Sequence, residues 1–293
     1  MAMDAGIIGL GIMGSAMAGN LLAAGHTVIG YDIDETARAK LQSAGGTVTT
    51  SAGDVAAHAP IVLLSLPSSK AFRDVTDDIC AKGAKGSIVV ECSTLPIEDK
   101  LVSRDALADH GIILIDCPVS GTGAQAIEAD LVMLASGDRQ AVEKCRPIFD
   151  AMSRETHYLG EFGNGMKMKF VANLLVSIHN VAAAEALVLA QKAGLDPQQT
   201  YDVIRAGAGS SRMFEVRGPM MVEQTYEPAT MKLDVWRKDV ELIAAFAGSL
   251  DCPTPLFAQS EPLYASARGR GMGAQDTAAI KSILEMMAGI DEA

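Results

Sequence analysis

The chain has 293 residues, 49% of them apolar, and a formal net charge of -12 at neutral pH. That length exceeds one ordinary hydrophobic core, so two domains are expected, and the apolar content excludes a disordered chain. The acidic balance argues against a protein that tracks nucleic-acid phosphates, and no apolar run is expected to reach membrane-spanning length.

Short apolar runs bounded by turn residues occur at 5–10, 27–32, 61–67, 87–94, 112–118 and 130–138. Their continuous apolarity suits strands buried on both faces. The first run begins by residue 5, so no signal peptide is expected. Helical stretches at 12–24, 34–43, 68–80, 96–109 and 138–151 separate most of the strands. The alternation predicts an α/β fold, a Rossmann-type doubly wound and mostly parallel sheet, over residues 1–163. After "HYLGEFGNG" (157–165) strand signals stop. From Met166 to Ala193 the sequence reads as one long apolar helix, stopped by Gly194. The next helix opens at "DPQQ", with Asp196 as N-cap and Pro197 in the first turn. Further helices are expected at about 211–223, 231–249, 255–268 and 275–289. Residues 164–293 therefore read as an all-helical domain, joined to the first through a helix over about 165–193. A helix that long and apolar is expected to be buried, often in the core of a homodimer or homotetramer. The five cysteines (Cys80, Cys92, Cys117, Cys145, Cys252) show no CxxC or metal-ligand spacing. They read as reduced thiols of a cytoplasmic protein without a metal site.

The glycines of "GLGIMG", Gly9, Gly11 and Gly14, follow the first strand and open the first helix, and Asp32 ends the second strand. A glycine-rich turn alone is common, but in this setting each residue has a task. Gly9 permits the tight turn, Gly11 lets the backbone approach a pyrophosphate, and Gly14 allows helix to pack closely on strand. The free N–H groups of the helix then face the phosphates. Asp32 can accept hydrogen bonds from the adenosine ribose and would repel a 2′-phosphate. No arginine immediately follows it, the next being Arg38, so NAD is expected in preference to NADP.

Three later segments bear on the chemistry. "DCPVSGTGAQA" (116–126) follows a strand, and Gly121 and Gly123 flank Thr122. Backbone N–H groups and hydroxyls there suit a small carboxylate, although an ordinary turn uses the same residues. In "GNGMKMKFVANLL" (163–175), Lys169 and Asn173 are four apart and share a helix face. A lysine in an apolar helix must be paired, exposed or functional, and one near a helix start can simply snorkel. Lys238 and Asp239 of "MKLDVWRKDVELIAAF" (231–246) start an apolar helix, where charges often form only a solvated face.

Together these segments resemble the β-hydroxyacid dehydrogenase family, which includes 3-hydroxyisobutyrate dehydrogenase, tartronate semialdehyde reductase and the glyoxylate/succinic semialdehyde reductases. "GLGIMGSAMAGNLL" looks like the family's cofactor loop, and "DCPVSGT" like its substrate-binding DxPVSGG. "GNGMKMKFVAN" is similar to the GxGxxxKxxxN catalytic segment, and "RKDVELI" to the KDxxLA helix. The resemblance spans essentially the whole chain and implies a helical C-terminal domain like that of 6-phosphogluconate dehydrogenase. By matching position it implies Lys169 as general acid/base and Asn173 as its hydrogen-bonding partner. Ser120, Gly121 and Thr122 would hold the substrate, with Lys238 approaching cofactor and substrate and Asp239 supporting it. The cofactor would be bound by Gly9, Leu10, Gly11, Ile12, Met13, Gly14, Asp32, Leu66, Pro67, Thr94 and Lys238. Thr122 stands where the family often has a second glycine, and Met231 where it often has an aromatic residue. Both departures alter the substrate pocket.

The resemblance implies an NAD-dependent oxidoreductase interconverting a small β-hydroxy acid and its semialdehyde or keto acid. Oxidising an alcohol requires its proton to leave as hydride departs, and a neutral lysine can accept that proton. Burial and the positive charge of oxidised nicotinamide are expected to lower the amine's pKa for this task. Asn173 holds the amine without adding negative charge. Competing readings are a semialdehyde reductase or an imine reductase on the same scaffold, and a non-catalytic NAD-binding protein. Imine reductases usually lack the lysine, and the acidic charge speaks against a chromatin-associated binder.

Overall fold

The computed structural model describes residues 3–290. The chain forms two compact units, Met1–Lys169 and Phe170–Ala293. In the first, six strands make one parallel sheet: β1 (Asp4–Ile8), β2 (Thr27–Tyr31), β3 (Thr47–Val48), β4 (Ile61–Leu64), β5 (Ile88–Glu91) and β6 (Ile113–Asp116). Their order is β3-β2-β1-β4-β5-β6, so the winding reverses between β1 and β4. Such a reversal opens a crevice at the carboxyl ends of the strands.

The continuous apolar runs are explained by burial on two faces. Side chains alternate sides along a strand. On one side Ile7, Leu63, Val90 and Ile115 pack with Met17 and Leu21 of α1 (Ile12–Ala23) and with Ile148 and Phe149 of α7 (Arg139–Asp150). On the other, Ile8, Leu64, Val89 and Leu114 meet α3 (Ala52–His58), α4 (Ser69–Lys82) and α5 (Ile97–Asp109) through Val55, Phe72, Ile79 and Leu107. Helix α2 (Glu35–Ser43) is capped by Asp34, and α4 by Ser68.

Not every strand joins that sheet. The run at 130–138 becomes β8 (Leu131–Ala135) of a separate sheet, antiparallel to β7 (Val119–Ser120) and parallel to β9 (Ser153–Tyr158). The sequence SRETHY of β9 carries no apolar run and is largely solvent-facing, so its strand character was invisible to patterning. Between β7 and β8 lies the short helix α6 (Gly123–Ile127).

Helix α8 (Asn164–Lys192) starts in the first unit and continues into the second. The sequence puts the boundary at 163/164, whereas the compact units divide after Lys169. The reason is local: the amides of Gly165 and Met166 bond to Ser136 and Asp116 of the first unit.

The second unit holds α9 (Pro197–Ala206), α10 (Arg212–Glu223), α11 (Leu233–Ser249), α12 (Pro255–Gly269), a 3-10 turn (Thr277–Ala279) and α13 (Ile280–Met287). Asp196 caps α9 with Pro197 at its first position, and Gly194 adopts φ +78 beyond the end of α8. By length and composition α8, with a mean hydropathy of 1.5, is long and apolar enough to cross a membrane, contrary to expectation from the sequence. Its buried polar side chains, however, are bonded to protein. Asn173, Ser177 and Asn180 recur at helical spacing and reach Asp239, Ser260, Tyr264 and Thr277. Asn and Ser buried in this way hold a core helix in register.

A second hub is the buried carboxylate of Asp276. It pairs with the Arg217 guanidinium at 3.1 Å and accepts from the amides of Thr230, Met231 and Ala278. Burial pushes its pKa up, but Arg217 and these donors outweigh burial and hold it below the ordinary carboxylate value. The contacts fix the chain that leads into α11.

Candidate active site

In the first unit, the β1–α1 turn is shaped by what its glycines touch. Gly9 has φ +90, and a Cβ there would lie 2.1 Å from the Ser65 carbonyl oxygen. A Cβ on Gly14 would lie 1.8 Å from the Gly9 carbonyl oxygen. A side chain at either position would force the turn open. Gly11 differs: a Cβ there would meet nothing within 4 Å, so its freedom serves no packing within the protein. That is the space a bound pyrophosphate needs. Leu10 and Gly14 are buried, Met13 is half-buried, and Ile12 is exposed.

At the end of β2, the Asp32 carboxylate accepts the Leu10 amide at 2.6 Å and the Asp34 amide at 2.9 Å. The carboxylate is thus locked beside the glycine turn while keeping lone pairs for a ribose. Arg38 is nearer than its sequence distance suggests. Helix α2 returns its guanidinium to the carbonyls of Asp32 (2.5 Å) and Ile33 (3.3 Å), and toward Glu35 (3.5 Å).

The segments after β4 and β5 are joined by one side chain, since Ser93 Oγ accepts the Leu66 amide at 2.8 Å. Pro67 is exposed and Thr94 half-buried. Ser120 lies in β7, followed by Gly121 at φ +145. Thr122 has a structural duty that its sequence announces. With Gln125 it forms a capping box, Thr122 Oγ1 accepting the Gln125 amide and Gln125 Oε1 accepting the Thr122 amide at 3.1 Å. The spacing T-x-x-Q carried this signal. Helix α6 in turn packs beside the glycine turn, where Asn20 of α1 donates to the Ala126 carbonyl at 2.6 Å. The cofactor-type loop and the Ser120–Thr122 segment are thereby brought together.

Sequence patterning missed a buried ionic cluster beneath this region. Glu91, Lys100 and Asp116 are each 0% exposed. Lys100 Nζ donates to Asp116 Oδ1 at 2.7 Å and to the Ser93 carbonyl at 2.9 Å, and is ion-paired with Glu91. Glu91 in turn accepts the Ser93 amide at 2.8 Å. Burial raises the Glu91 pKa, partly offset by Lys100. For Lys100 burial opposes the charge, but Asp116 and Glu91 outweigh it and hold the ammonium protonated. A charge ending an apolar strand, as in "VVE" and "LID", was the available sign, because such a charge has to be paired.

Lys169 is half-buried on α8, one turn before the buried Asn173, while Lys167 faces solvent. In the second unit, Asn173 Nδ2 donates to Asp239 Oδ2 at 2.9 Å, which turns the amide oxygen of Asn173 the other way. Asp239 thus acts on Asn173, and its neighbour Lys238 is half-buried on the same helix.

Two family descriptions cover nearly the whole chain. The NAD binding domain of 6-phosphogluconate dehydrogenase matches residues 4–160, and the NAD-binding region of NADP-dependent 3-hydroxyisobutyrate dehydrogenase matches 163–284. The L-threonate dehydrogenase of Haemophilus influenzae is 34% identical over 94% of this chain and 93% of its own. The chain belongs to the β-hydroxyacid dehydrogenase family. The crystal structure of 3-hydroxyisobutyrate dehydrogenase from Salmonella typhimurium superposes with a TM-score of 0.87 at 31% identity, covering 96% of this chain and 99% of the other. Psf3, solved in complex with NADP+ and 2-OPP, superposes with a TM-score of 0.86 at 25% identity, covering 96% and 99%. Members of this family are nicotinamide-dependent oxidoreductases acting on CH–OH groups, and this chain is an oxidoreductase of that kind. The expected fold class and a nicotinamide cofactor are both supported.

Proposed function

We propose that this β-hydroxyacid dehydrogenase homologue uses NAD to interconvert a small β-hydroxy acid and the matching semialdehyde or keto acid, with Lys169 as general acid/base. The observation that carries this reading is the Lys169–Asn173 pair, one turn apart on α8 with the Asn173 amide oriented by Asp239. The residues present fit a nicotinamide dinucleotide: Gly11 faces open space and Asp32 is held beside it. When bound, that cofactor supplies the acceptor or donor of hydride.

The chain's own residues do the remaining work. Gly9–Gly14 bind the pyrophosphate through backbone amides, and Leu66, Pro67, Thr94 and Met13 line the nicotinamide. Ser120 and the Gly121 amide hold the substrate carboxylate, since the hydroxyl and amide of Thr122 are engaged by Gln125. Lys169 takes the proton of the substrate hydroxyl during oxidation and returns it during reduction. By their matching positions in the family pattern, Asn173 would serve as hydrogen-bonding partner of the amine and Lys238 as a positive charge for the substrate. A preference for NAD is supported by the Asp32 carboxylate. Arg38, the nearby cation, uses Nη1 on the carbonyls of Asp32 and Ile33 and turns Nη2 toward Glu35.

A panel of 3-hydroxyisobutyrate, D-glycerate, 4-hydroxybutyrate, L-serine and L-threonate, with NAD and NADP in parallel and NADH formation followed by absorbance, tests this function. Oxidation of at least one acid, faster with NAD, is expected. Turnover of cyclic imines alone, or tight NADH binding without any turnover, would overturn it.

A further inference from the structure

The buried cluster of Glu91, Lys100 and Asp116 is not part of the chemistry just described, yet it touches the segments that carry it. Asp116 uses its two oxygens in different directions. Oδ1 accepts from Lys100 Nζ at 2.7 Å, while Oδ2 accepts the Met166 amide at 2.8 Å and the Ser136 hydroxyl at 3.1 Å. Ser136 Oγ then accepts the Gly165 amide at 2.9 Å. The first-turn amides of α8 are therefore satisfied by two side chains from distant strand ends. A helix leaves its first four N–H groups without intrahelical partners, and capping by the preceding residue is the usual remedy. Here the remedy comes from 29 and 50 residues away.

We infer that Asp116 and Ser136, with Asp116 held by Lys100, are positioning residues that fix the rotation of the first turn of α8 and so aim Lys169. The inference rests on Lys169 being the acid/base. The geometric link is short. In an α-helix the Lys169 amide bonds to the Gly165 carbonyl, and that carbonyl shares one rigid peptide plane with the Met166 amide that Asp116 holds. Met166 and Gly165 precede Lys169 by three and four residues, so all lie along one face. Gly165 also seats the turn tightly, since a Cβ there would lie 2.2 Å from the Leu134 carbonyl oxygen. A turn clamped at two consecutive amides cannot rotate without breaking a bond to a fully buried group. The same cluster sets the other wall: Lys100 and Glu91 hold both backbone groups of Ser93, next to Thr94, and Ser93 holds Leu66. One charge thus fixes several segments relative to one another.

Asp116→Asn keeps the shape but loses the charge that attracts Lys100, and Ser136→Ala removes the Gly165 anchor and the hydroxyl bond to Asp116 but leaves the Met166 anchor and the Lys100 pair. Active sites are counted by NADH fluorescence titration, and turnover is expressed per site with the fastest acid of the panel. Expressed this way, a fall in folded protein lowers the number of sites without lowering turnover per site. Asp116→Asn is expected to lower kcat per site about 100-fold and Ser136→Ala about tenfold, because ångström-scale misplacement of a catalytic group costs on that order. The NADH Kd should change less than threefold. Hydrogen exchange in residues 164–169 should quicken in both variants while β1 and β4 keep their protection. Turnover per site within twofold of the unmodified protein in both variants would overturn the inference. So would a fall confined to the number of sites. Lys169→Met, measured alongside, separates the two levels. If it retains turnover, the acid/base assignment fails; if it is inactive while both anchor variants turn over normally, only the positioning role fails.

Discussion

Substituting alanine at Gly11 and at Gly14 should break the same loop in opposite ways. At Gly14 the new Cβ would sit 1.8 Å from the Gly9 carbonyl oxygen, where real contacts essentially never fall below 3.0 Å. The turn has to open by at least about 1.2 Å, and forced overpacking of this kind costs about 3 kcal/mol. For a unit of this size each kcal/mol lowers Tm by about 2–4 °C, so Gly14→Ala should melt about 6–12 °C lower. At Gly11 the Cβ meets no protein atom within 4 Å, and the backbone φ of -68 is ordinary for alanine. Its stability should stay within about 0.5 kcal/mol. The methyl group instead holds a phosphate away from the turn, and each charge-assisted bond lost is worth about 1.5–3 kcal/mol. The NADH Kd should therefore rise about 10- to 150-fold. Calorimetry and fluorescence titration measure the two effects separately. A normal melt for Gly14→Ala, or a normal NADH Kd for Gly11→Ala with its fold intact, would refute the reasoning.

Two further outcomes follow from named side chains. Asp276→Asn should destabilise the second unit by about 3–5 kcal/mol by leaving the buried Arg217 unpaired, seen as a lower urea midpoint. Because the folded Asp276 carboxylate titrates below its ordinary value of 3.8, its contribution is present above that value and lost as pH falls through the lower, folded one. In the wild type, acid unfolding should show it, and Asp276→Asn should flatten that limb. Asp32→Ala should cut the ratio of NAD to NADP efficiency about tenfold, since a carboxylate beside a 2′-phosphate repels it. An unchanged ratio in steady-state kinetics would remove Asp32 from cofactor selection.

Much of the fold could be read in advance because both faces of the main sheet are covered. Strands such as Ile61–Leu64 then become uninterrupted apolar words, and helices between them carry caps such as Asp34 and Ser68. The long helix and its successors were equally plain, with Gly194 and Asp196–Pro197 marking the joint. What escaped has a physical pattern. Strand β9 is polar and solvent-facing, and β3 has only two residues, so neither shows an apolar period. The Glu91–Lys100–Asp116 cluster depends on three segments meeting in space, which no local spacing encodes. The return of Arg38 to Asp32 follows from one turn of α2, which sequence distance conceals. The glycine tasks were legible because each is a matter of local backbone geometry. The duty of Thr122 was written in its spacing to Gln125 but was masked by the family-like motif around it.

The most direct test of the chemistry is hydride transfer by Lys169→Met at saturating NAD and a panel acid that the unmodified protein oxidises. If the amine carries the proton, the rate should fall at least about 1,000-fold while NADH binds with unchanged affinity, general acid–base assistance being worth about 10²- to 10⁴-fold. A rate within tenfold of the unmodified protein would contradict the account.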